Sequence, residues 1–376
     1  METIGIAAFT DRGRELAQRI ARGLEKDSCR ILWYEKDLKG WCASCFQSAD
    51  ALIFVGASGI AVRTIAPFLK SKTEDPAVLV LDEAGQYVIS LLSGHIGGAN
   101  EYALRISRLT GAKPVITTAS DVRGRIAVDV FAKKNHLKIG SMKAAKEVAA
   151  AILRGGQVGL CCTGEIEGRV PPELMQLAPE RKSLAGTGQL DCLIWISGRS
   201  IAETYVSYPW KIFYGTDGEP FLQREAYTAD REVFQHSIPI LHLIPRVVTV
   251  GIGCRRGKEA AAIEPAVRKA LAEAFVPMEA VCGAASIDLK KQEQGILAVC
   301  GTLGIPFETY TAEELNQVPG TFSGSEFVKK TTGVDNVCER AALALAGGGG
   351  RLLRKKYAAD GVTVALAVKK WSVRFP

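Results

Sequence analysis

The chain has 376 residues, of which 47% are hydrophobic and 23% charged, a mix typical of globular proteins with two or three domains. No apolar run reaches the roughly 18 residues of a transmembrane helix, and the first residues lack the pattern of a secretory signal. The formal charge of +7 comes without a polybasic tail or a basic stripe interleaved with aromatics. We therefore expect a cytoplasmic protein that binds neither membranes nor nucleic acid.

Through the first third of the chain, apolar strand-like segments alternate with helix-like segments. The strands are predicted at 4–10, 29–35, 51–57, 77–83, 87–92 and 113–119, and the helices at 12–27, 59–70 and 97–111. Apolar strands that alternate with amphipathic helices predict a mainly parallel sheet covered on both faces. Residues 1–125 are thus predicted to form an N-terminal α/β domain.

The remaining two thirds divide into an irregular part and a regular part. Residues 126–245 hold two helical segments and three short apolar strands among polar, glycine-rich stretches, which predicts a less regular middle α/β module or a linker domain. Residues 246–376 return to clear alternation and predict a separate C-terminal α/β domain. Its strands are predicted at 247–253, 280–286, 306–311 and 362–370, and its helices at 258–275, 289–304 and 335–346.

The ten cysteines are too sparse for a disulfide scaffold and are expected to be mostly buried thiols. Cys42 and Cys45 form a CxxC pair, but no second pair stands at the spacing of zinc ligands. A structural metal, a redox role and two incidental helix residues all remain open for this pair, and we expect no bound metal ion.

Glycine-rich turns follow three of the predicted strands. They are Gly56-Ala57-Ser58-Gly59, the segment Ser93–Gly98 and the segment Gly251–Gly257. In open α/β sheets ligands bind at the carboxyl ends of strands, where helix N-termini offer backbone N–H groups to anions. Glycines at such turns also serve backbone geometry alone, and both interpretations remain open for the first and third turns. The third turn has the spacing G-x-G-x-x-x-G, which argues against a dinucleotide site.

The second turn is the most informative, because Ser93, His95, Asn100 and Glu101 stand within nine positions. An imidazole whose pKa lies near neutrality suits proton transfer, so we predict a functional role for His95. Other polar or basic residues follow predicted strand ends or open helices. With the glycine turns, the full set of candidate ligand contacts is Gly56, Ser58, Gly59, Arg63, Lys72, Ser93, Gly94, Gly97, Gly98, Asn100, Thr117, Thr118, Asp121, Gly251, Gly253, Cys254, Arg255, Ser286, Lys290 and Ser325.

Long motifs at both ends of the chain resemble one family. Residues 59–121, which include SGHIGGANEYA, are similar to the N-terminal domain of CbiG. The segments VGIGCRRG (250–257), SIDLKKQEQGI (286–296), FSGSEFV (322–328) and GVTVALA (361–367) resemble its C-terminal domain, which is shared with the CobE proteins. The family is cobalt-precorrin-5A hydrolase of anaerobic cobalamin biosynthesis.

The resemblance implies an enzyme that acts on a cobalt tetrapyrrole. It would open the ring A δ-lactone and release the lost carbon as acetaldehyde, giving cobalt-precorrin-5B, with no cofactor beyond the cobalt that the substrate carries. Arg63, Lys72, Arg255 and Lys290 would hold rim carboxylates through charge-assisted bonds. Lys290 is equally typical of a solvated helix face.

In that mechanism His95 or Glu101 would be the general base, and the amides of Gly97 and Gly98 would hold the oxyanion. A non-catalytic carrier of cobalt-precorrin intermediates is the alternative function. A homodimer and transient contact with other enzymes of the pathway are partners that the sequence leaves open.

Overall fold

The computed structural model describes residues 1–71, 74–178, 190–201, 210–214, 220–228 and 231–375. The chain forms two compact units, Met1–Val130 and Phe131–Pro376. In the described part of the chain, no helix is both long and apolar enough to cross a lipid bilayer.

The first unit is built on a six-stranded sheet with the order β2-β1-β3-β4-β5-β6. In chain order its elements are β1 (Thr3–Ala8), α1 (Asp11–Lys26), β2 (Arg30–Trp33), α2 (Leu38–Ser48), β3 (Ala51–Val55), α3 (Ser58–Ile65) with a 3-10 turn (Ala66–Phe68), β4 (Ala77–Leu81), β5 (Tyr87–Leu92), α4 (Ala99–Thr110), β6 (Lys113–Val115), α5 (Ala119–Val122) and the start of α6 (Val128–Lys134). Strands β1 to β4 are mutually parallel. The edge strand β2 is partly exposed, whereas β1, β3 and β4 are almost wholly buried. Their continuous apolar runs are what a sheet covered on both faces requires.

Helix α1 shows how the sequence sets these elements. Thr10 caps it, since its hydroxyl accepts a hydrogen bond from the Gly13 N–H at 3.1 Å. Leu16, Ile20 and Leu24 recur on one face and are all buried in the core that covers the sheet. Burial of such a leucine or isoleucine is worth about 1.5–3 kcal/mol, so this face fixes the helix on the sheet.

The direction of the sheet reverses between β4 and β5. The two strands are joined only by residues 82–86, and the Asp82 carboxylate accepts hydrogen bonds from the N–H groups of Gln86 (3.2 Å) and Tyr87 (2.7 Å). A link this short closes a hairpin, so β5 is antiparallel to β4, and β6 is parallel to β5. The carboxyl ends of β5 and β6 therefore lie at the edge of the sheet opposite to those of β1–β4.

The second unit holds two larger sheets and a two-stranded one. Among the described residues their orders are β10-β8-β11-β14-β13-β12 with β7 beside β14, β17-β16-β15-β19-β18, and β20-β9. The elements are β7 (Leu137–Ile139), α7 (Met142–Arg154), β8 (Val158–Cys162), β9 (Glu165–Glu167), β10 (Leu174–Leu177), β11 (Cys192–Ile196), β12 (Trp210–Tyr214), β13 (Pro220–Thr228), β14 (Arg231–Pro245), β15 (Val248–Cys254), α8 (Ala260–Glu273), β16 (Val281–Ile287), α9 (Gln294–Leu303), β17 (Phe307–Tyr310), α10 (Ala312–Gln317), α11 (Glu326–Thr332), α12 (Val337–Ala346), β18 (Arg351–Ala359), β19 (Val362–Val368) and β20 (Ser372–Arg374), with 3-10 turns at Met278–Ala280 and Asp288–Lys290.

The predicted α/β class with a mainly parallel first sheet is confirmed. The predicted strand 113–119 is shorter than expected, because β6 ends at Val115 and α5 begins at Ala119. The division into 1–125, 126–245 and 246–376 stays a prediction. The boundary between the two units falls inside α6, and the sheets of the middle and last segments belong to one unit.

Candidate active site

The second glycine-rich turn and the segment after β6 lie at the same edge of the first sheet. Strands β5 and β6 are parallel neighbours, so the residues after Leu92 and the residues after Val115 leave the sheet side by side. This edge brings together most of the polar residues that the sequence singled out in the first unit.

Glycine is required inside this turn. A Cβ on Gly97 would stand 2.3 Å from the Cβ of Ser93, and Gly98 has a left-handed φ of 92°. The Gly98 N–H donates to the His95 carbonyl at 3.0 Å, so it is not available to an oxyanion, and that part of the prediction is corrected. No described residue accepts a hydrogen bond from the Gly97 N–H, which keeps this amide as a candidate donor.

His95 lies between two carboxylates. Its Nε2 is 2.9 Å from the Oδ2 of Asp121, and its Nδ1 is 3.5 Å from the Oδ2 of Asp129. The side chains of His95 and Asp129 are each 20% exposed, whereas that of Asp121 is 41% exposed. The imidazole ring is thus mostly buried at the edge of the sheet, and of its two carboxylate partners Asp121 is the more exposed.

Asn100 holds the same carboxylate from the first turn of α4. It is 7% exposed, and its Nδ2 donates to the Oγ1 of Thr118 at 3.0 Å and to the Oδ2 of Asp121 at 2.9 Å. Both amide hydrogens are therefore used, which fixes the orientation of the side chain. Its Oδ1 and the Oγ of Ser93 are buried without a hydrogen-bond partner among the described residues. Buried polar atoms without a partner are costly and are typical of a place that a water molecule or a ligand fills.

Ser93 also has strained backbone. Its φ of 55° is left-handed, a conformation that non-glycine residues adopt at a cost of about 1 kcal/mol or more. Such strain is concentrated at functional sites, and here it shapes the turn that carries His95.

The charges of the cluster are coupled. The hydrogen bond that His95 donates to the Asp129 carboxylate raises the pKa of His95 above its ordinary value, against the effect of burial and with further help from Asp121. Burial works to raise the pKa of Asp129, but the hydrogen bond and charge of His95 outweigh it and hold that pKa below 3.8. The imidazolium and the Asp129 carboxylate therefore stabilise each other.

Other predicted contacts of the first unit lie elsewhere. Glu101 and Thr117 are exposed beside the cluster, and Lys72 lies outside the described residues. The first glycine turn follows β3 and so lies at the opposite edge, about 16 Å away across a five-residue strand. The residues at that edge are Gly56, Ser58, Gly59 and Arg63, whose Nη1 donates to the Gly59 carbonyl at 3.3 Å.

In the second unit, three predicted contacts have structural roles instead. A Cβ on Gly251 would stand 1.8 Å from the carbonyl oxygen of Cys338, and one on Gly253 would stand 2.6 Å from the Oγ1 of Thr363. These glycines let α12 and β19 pack closely against β15. Ser286 is wholly buried, and its hydroxyl donates to a backbone carbonyl in β15 at 2.6 Å. The predicted substrate contacts of Gly251 and Ser286 do not fit these positions.

The remaining predicted residues of the second unit lie nearer its surface. Arg255 is exposed, and burial raises the pKa of Cys254. Lys290 is 14% exposed and pairs with Glu293 at 2.8 Å. Ser325 caps α11. Lys290 is thus neutralised within its own unit, and this weakens its predicted role as a carboxylate anchor.

Sequence reasoning missed Asp129, which stands alone in an ordinary helical stretch, VDVFAKK. Only its contact with His95 marks it as part of the cluster.

The CxxC pair lies on α2, where burial raises the pKa of Cys42 to about 12 and that of Cys45 to about 11. Among the described residues, no group of three or more His, Cys, Asp or Glu side chains is arranged to hold a metal ion.

An open groove of about 700 Å³ runs along α1 and is separate from the cluster. Its cationic lining consists of Arg12, Arg19, Arg22 and Lys26. None of the residues around His95 lines it, so this groove and the His95 cluster are separate features of the first unit.

Comparison with known proteins defines the class to which this fold and cluster belong. Three family models of cobalamin biosynthesis proteins match: cobalamin synthesis G N-terminal over residues 40–121, the cobalamin biosynthesis central region over 126–213, and cobalamin synthesis G C-terminus over 248–367. The turn that carries His95 lies inside the first of these regions, whereas Asp129 lies inside the second.

Full-length relatives identify the family. The chain is 32% identical to the cobalt-precorrin-5A hydrolase of Salmonella typhimurium over 98% of both chains, and 30% identical to that of Priestia megaterium over 96% of this chain and 94% of the relative. The chain belongs to the cobalt-precorrin-5A hydrolase (CbiG) family. It is also similar to the crystal structure of CobE, a protein from the cobalamin biosynthetic pathway, with 35% identity over 33% of this chain and 92% of that one and a TM-score of 0.32. The resemblances predicted from the sequence are confirmed.

Proposed function

We propose that this protein is a cobalt-precorrin-5A hydrolase whose reacting lactone is bound beside His95. The supporting observation is the cluster of His95, Asn100, Asp121 and Asp129, in which Asp129 from α6 joins residues that follow two parallel strands. These residues lie within two of the matched family regions. It combines titratable groups and the Gly97 amide, which can supply the base and the oxyanion donor that ester hydrolysis needs. Two buried polar atoms without partners among the described residues lie beside them.

The reaction has two stages in this proposal. Water opens the ring A δ-lactone, and the oxyanion that forms at the acyl carbon accepts a hydrogen bond from the Gly97 N–H. The hydroxyl on the departing carbon then loses its proton, its carbon–carbon bond to the macrocycle breaks, and acetaldehyde leaves. The electron pair goes to the conjugated macrocycle, which takes up a proton and becomes cobalt-precorrin-5B. No cofactor is needed beyond the cobalt that the substrate carries.

The test is to incubate the purified full chain with cobalt-precorrin-5A. Acetaldehyde is measured by coupling to alcohol dehydrogenase, and the product is identified by mass spectrometry. We expect one acetaldehyde per substrate from the wild type and none above background from the double variant His95→Ala/Asp121→Ala. Tight binding of the substrate by the wild type without acetaldehyde would instead support the alternative, a carrier of cobalt-precorrin intermediates.

The homodimer, transient contact with other pathway enzymes and the cytoplasmic location stay predictions. Gel filtration of the same preparation with light scattering measures the first of these directly.

A further inference from the structure

The cluster restricts the protonation state of His95. Both ring nitrogens face carboxylate oxygens, Asp121 from α5 and Asp129 from α6. In a neutral imidazole one nitrogen carries a lone pair, and here that lone pair would point at a carboxylate oxygen. The arrangement therefore favours the imidazolium, in which both nitrogens donate. An imidazolium has no lone pair with which to take a proton from water.

Asp121 is the member of the cluster that can receive a proton. Its Oδ2 accepts from His95 and from Asn100, and both donors hold it at 2.9 Å. No described residue donates to its other oxygen, Oδ1. Its side chain is 41% exposed, twice the 20% of His95 and of Asp129. One oxygen is thus fixed by the protein, while the other has no donor among the described residues in a side chain that is 41% exposed. A positioned base needs such an oxygen.

We propose that Asp121 is the catalytic base of lactone opening, and that His95, Asp129 and Asn100 are positioning residues that hold it. This inference rests on the proposed function, and it replaces His95 or Glu101 as the predicted base. Asp129 keeps His95 charged, His95 and Asn100 fix the Asp121 carboxylate, and Thr118 fixes the Asn100 amide at 3.0 Å.

The step balances without an oxidant or a reductant. Asp121 Oδ1 takes a proton from a water molecule, and the water oxygen forms a bond to the lactone carbonyl carbon. The tetrahedral intermediate collapses, the bond between the acyl carbon and the ring oxygen breaks, and that oxygen takes the proton back from the Asp121 carboxyl. One water is consumed, one carboxyl and one hydroxyl are formed, and Asp121 is again ionised.

The first test measures the charge of His95 without any substrate. The full chain is labelled with ¹⁵N-histidine, and the four histidines are resolved by NMR, with His95→Gln used to assign the His95 signals. We expect both ring nitrogens to be protonated at pH 7 and the midpoint of the titration to fall in Asp129→Asn. A neutral His95 ring in the wild type at pH 7 would overturn the proposal.

The second test compares turnover. Asp121→Asn should lower kcat by about 100-fold or more, the usual contribution of a general base. His95→Gln should lower it by roughly tenfold, since it disturbs only the position of the base. Asp121→Glu, which keeps a carboxylate, should recover part of the loss. The control Asp11→Asn removes a fully exposed carboxylate of the same unit and should stay within about twofold of the wild type.

The outcomes separate the two proposals. If the wild type releases acetaldehyde and a folded Asp121→Asn variant keeps at least a fifth of its kcat, the base assignment fails and the proposed function stands. If the wild type itself releases no acetaldehyde, the proposed function fails and the base assignment fails with it. Circular dichroism shows whether each variant is folded.

Discussion

Replacing Asn100 by alanine tests the physical account of the cluster. The change removes one hydrogen bond to the hydroxyl of Thr118, worth about 0.5–1.5 kcal/mol, and one to the carboxylate of Asp121, worth about 1.5–3 kcal/mol. It also removes the buried Oδ1, which has no partner among the described residues and costs about 1–3 kcal/mol where it is. We therefore expect a net loss of only about 1–2 kcal/mol in the free energy of unfolding.

The isosteric variant Asn100→Asp sharpens the test. It places a second carboxylate against Asp121 at a position that is 7% exposed in the wild type. An unpaired buried charge costs about 3–5 kcal/mol, so this variant should be clearly less stable than Asn100→Ala at pH 8. Lowering the pH protonates the new carboxyl, which can then donate to Asp121, and the gap between the two variants should close.

Urea unfolding followed by circular dichroism at pH 8 and pH 5 gives these free energies. The wild type and both variants are compared at each pH. If Asn100→Asp is as stable as Asn100→Ala at pH 8, or if the gap between them does not depend on pH, then Asn100 does not act as the buried donor to Asp121 and the reasoning is refuted.

Three further outcomes follow from the structure. Gly251→Ala should lower the free energy of unfolding by about 3 kcal/mol or more, because its Cβ would meet the Cys338 carbonyl at 1.8 Å; a wild-type urea midpoint would contradict this. Ser286→Ala should cost roughly 1–2 kcal/mol by leaving a backbone carbonyl unpaired, with KM unchanged; a raised KM would restore its predicted substrate contact. The stability difference between the wild type and His95→Gln should be largest between pH 3.8 and 6.5. It should fall at higher pH as the raised pKa of His95 is passed, and at lower pH as the lowered pKa of Asp129 is passed; a pH-independent difference would contradict the ion pair.

Much of the first sheet could be predicted because parallel strands buried on both faces appear in the sequence as continuous apolar runs. Apolar runs separated by amphipathic helices placed β1–β5, and the polar residues around His95 marked the edge that the structure now details. What the pattern did not convey is direction, since an apolar strand such as YVISLL has the same composition whichever way it runs. The five-residue link 82–86 was a usable signal, because it is too short for the crossover that parallel strands need.

Contacts between residues that are far apart in the chain could not be predicted from local sequence patterns. Asp129 shows no local feature, and its role depends on a contact with a residue 34 positions earlier. Likewise, Gly251 looked like part of a ligand loop, although its close neighbour belongs to α12, far along the chain. Local patterns predict elements, whereas the meaning of a glycine or a lone carboxylate depends on what the fold brings beside it.

The small hairpin capped by Asp82 has a consequence well beyond its size. Its carboxylate accepts hydrogen bonds from two backbone N–H groups and so stabilises the reversal of chain direction before β5. If β5 ran parallel to β4 instead, the glycine-rich turn that carries His95 would lie at the opposite edge of the sheet, on the same side as Arg63. In the proposed function, Asp82 therefore sets the edge of the sheet at which the substrate meets His95, although it lies in the link before β5 and outside the His95 cluster.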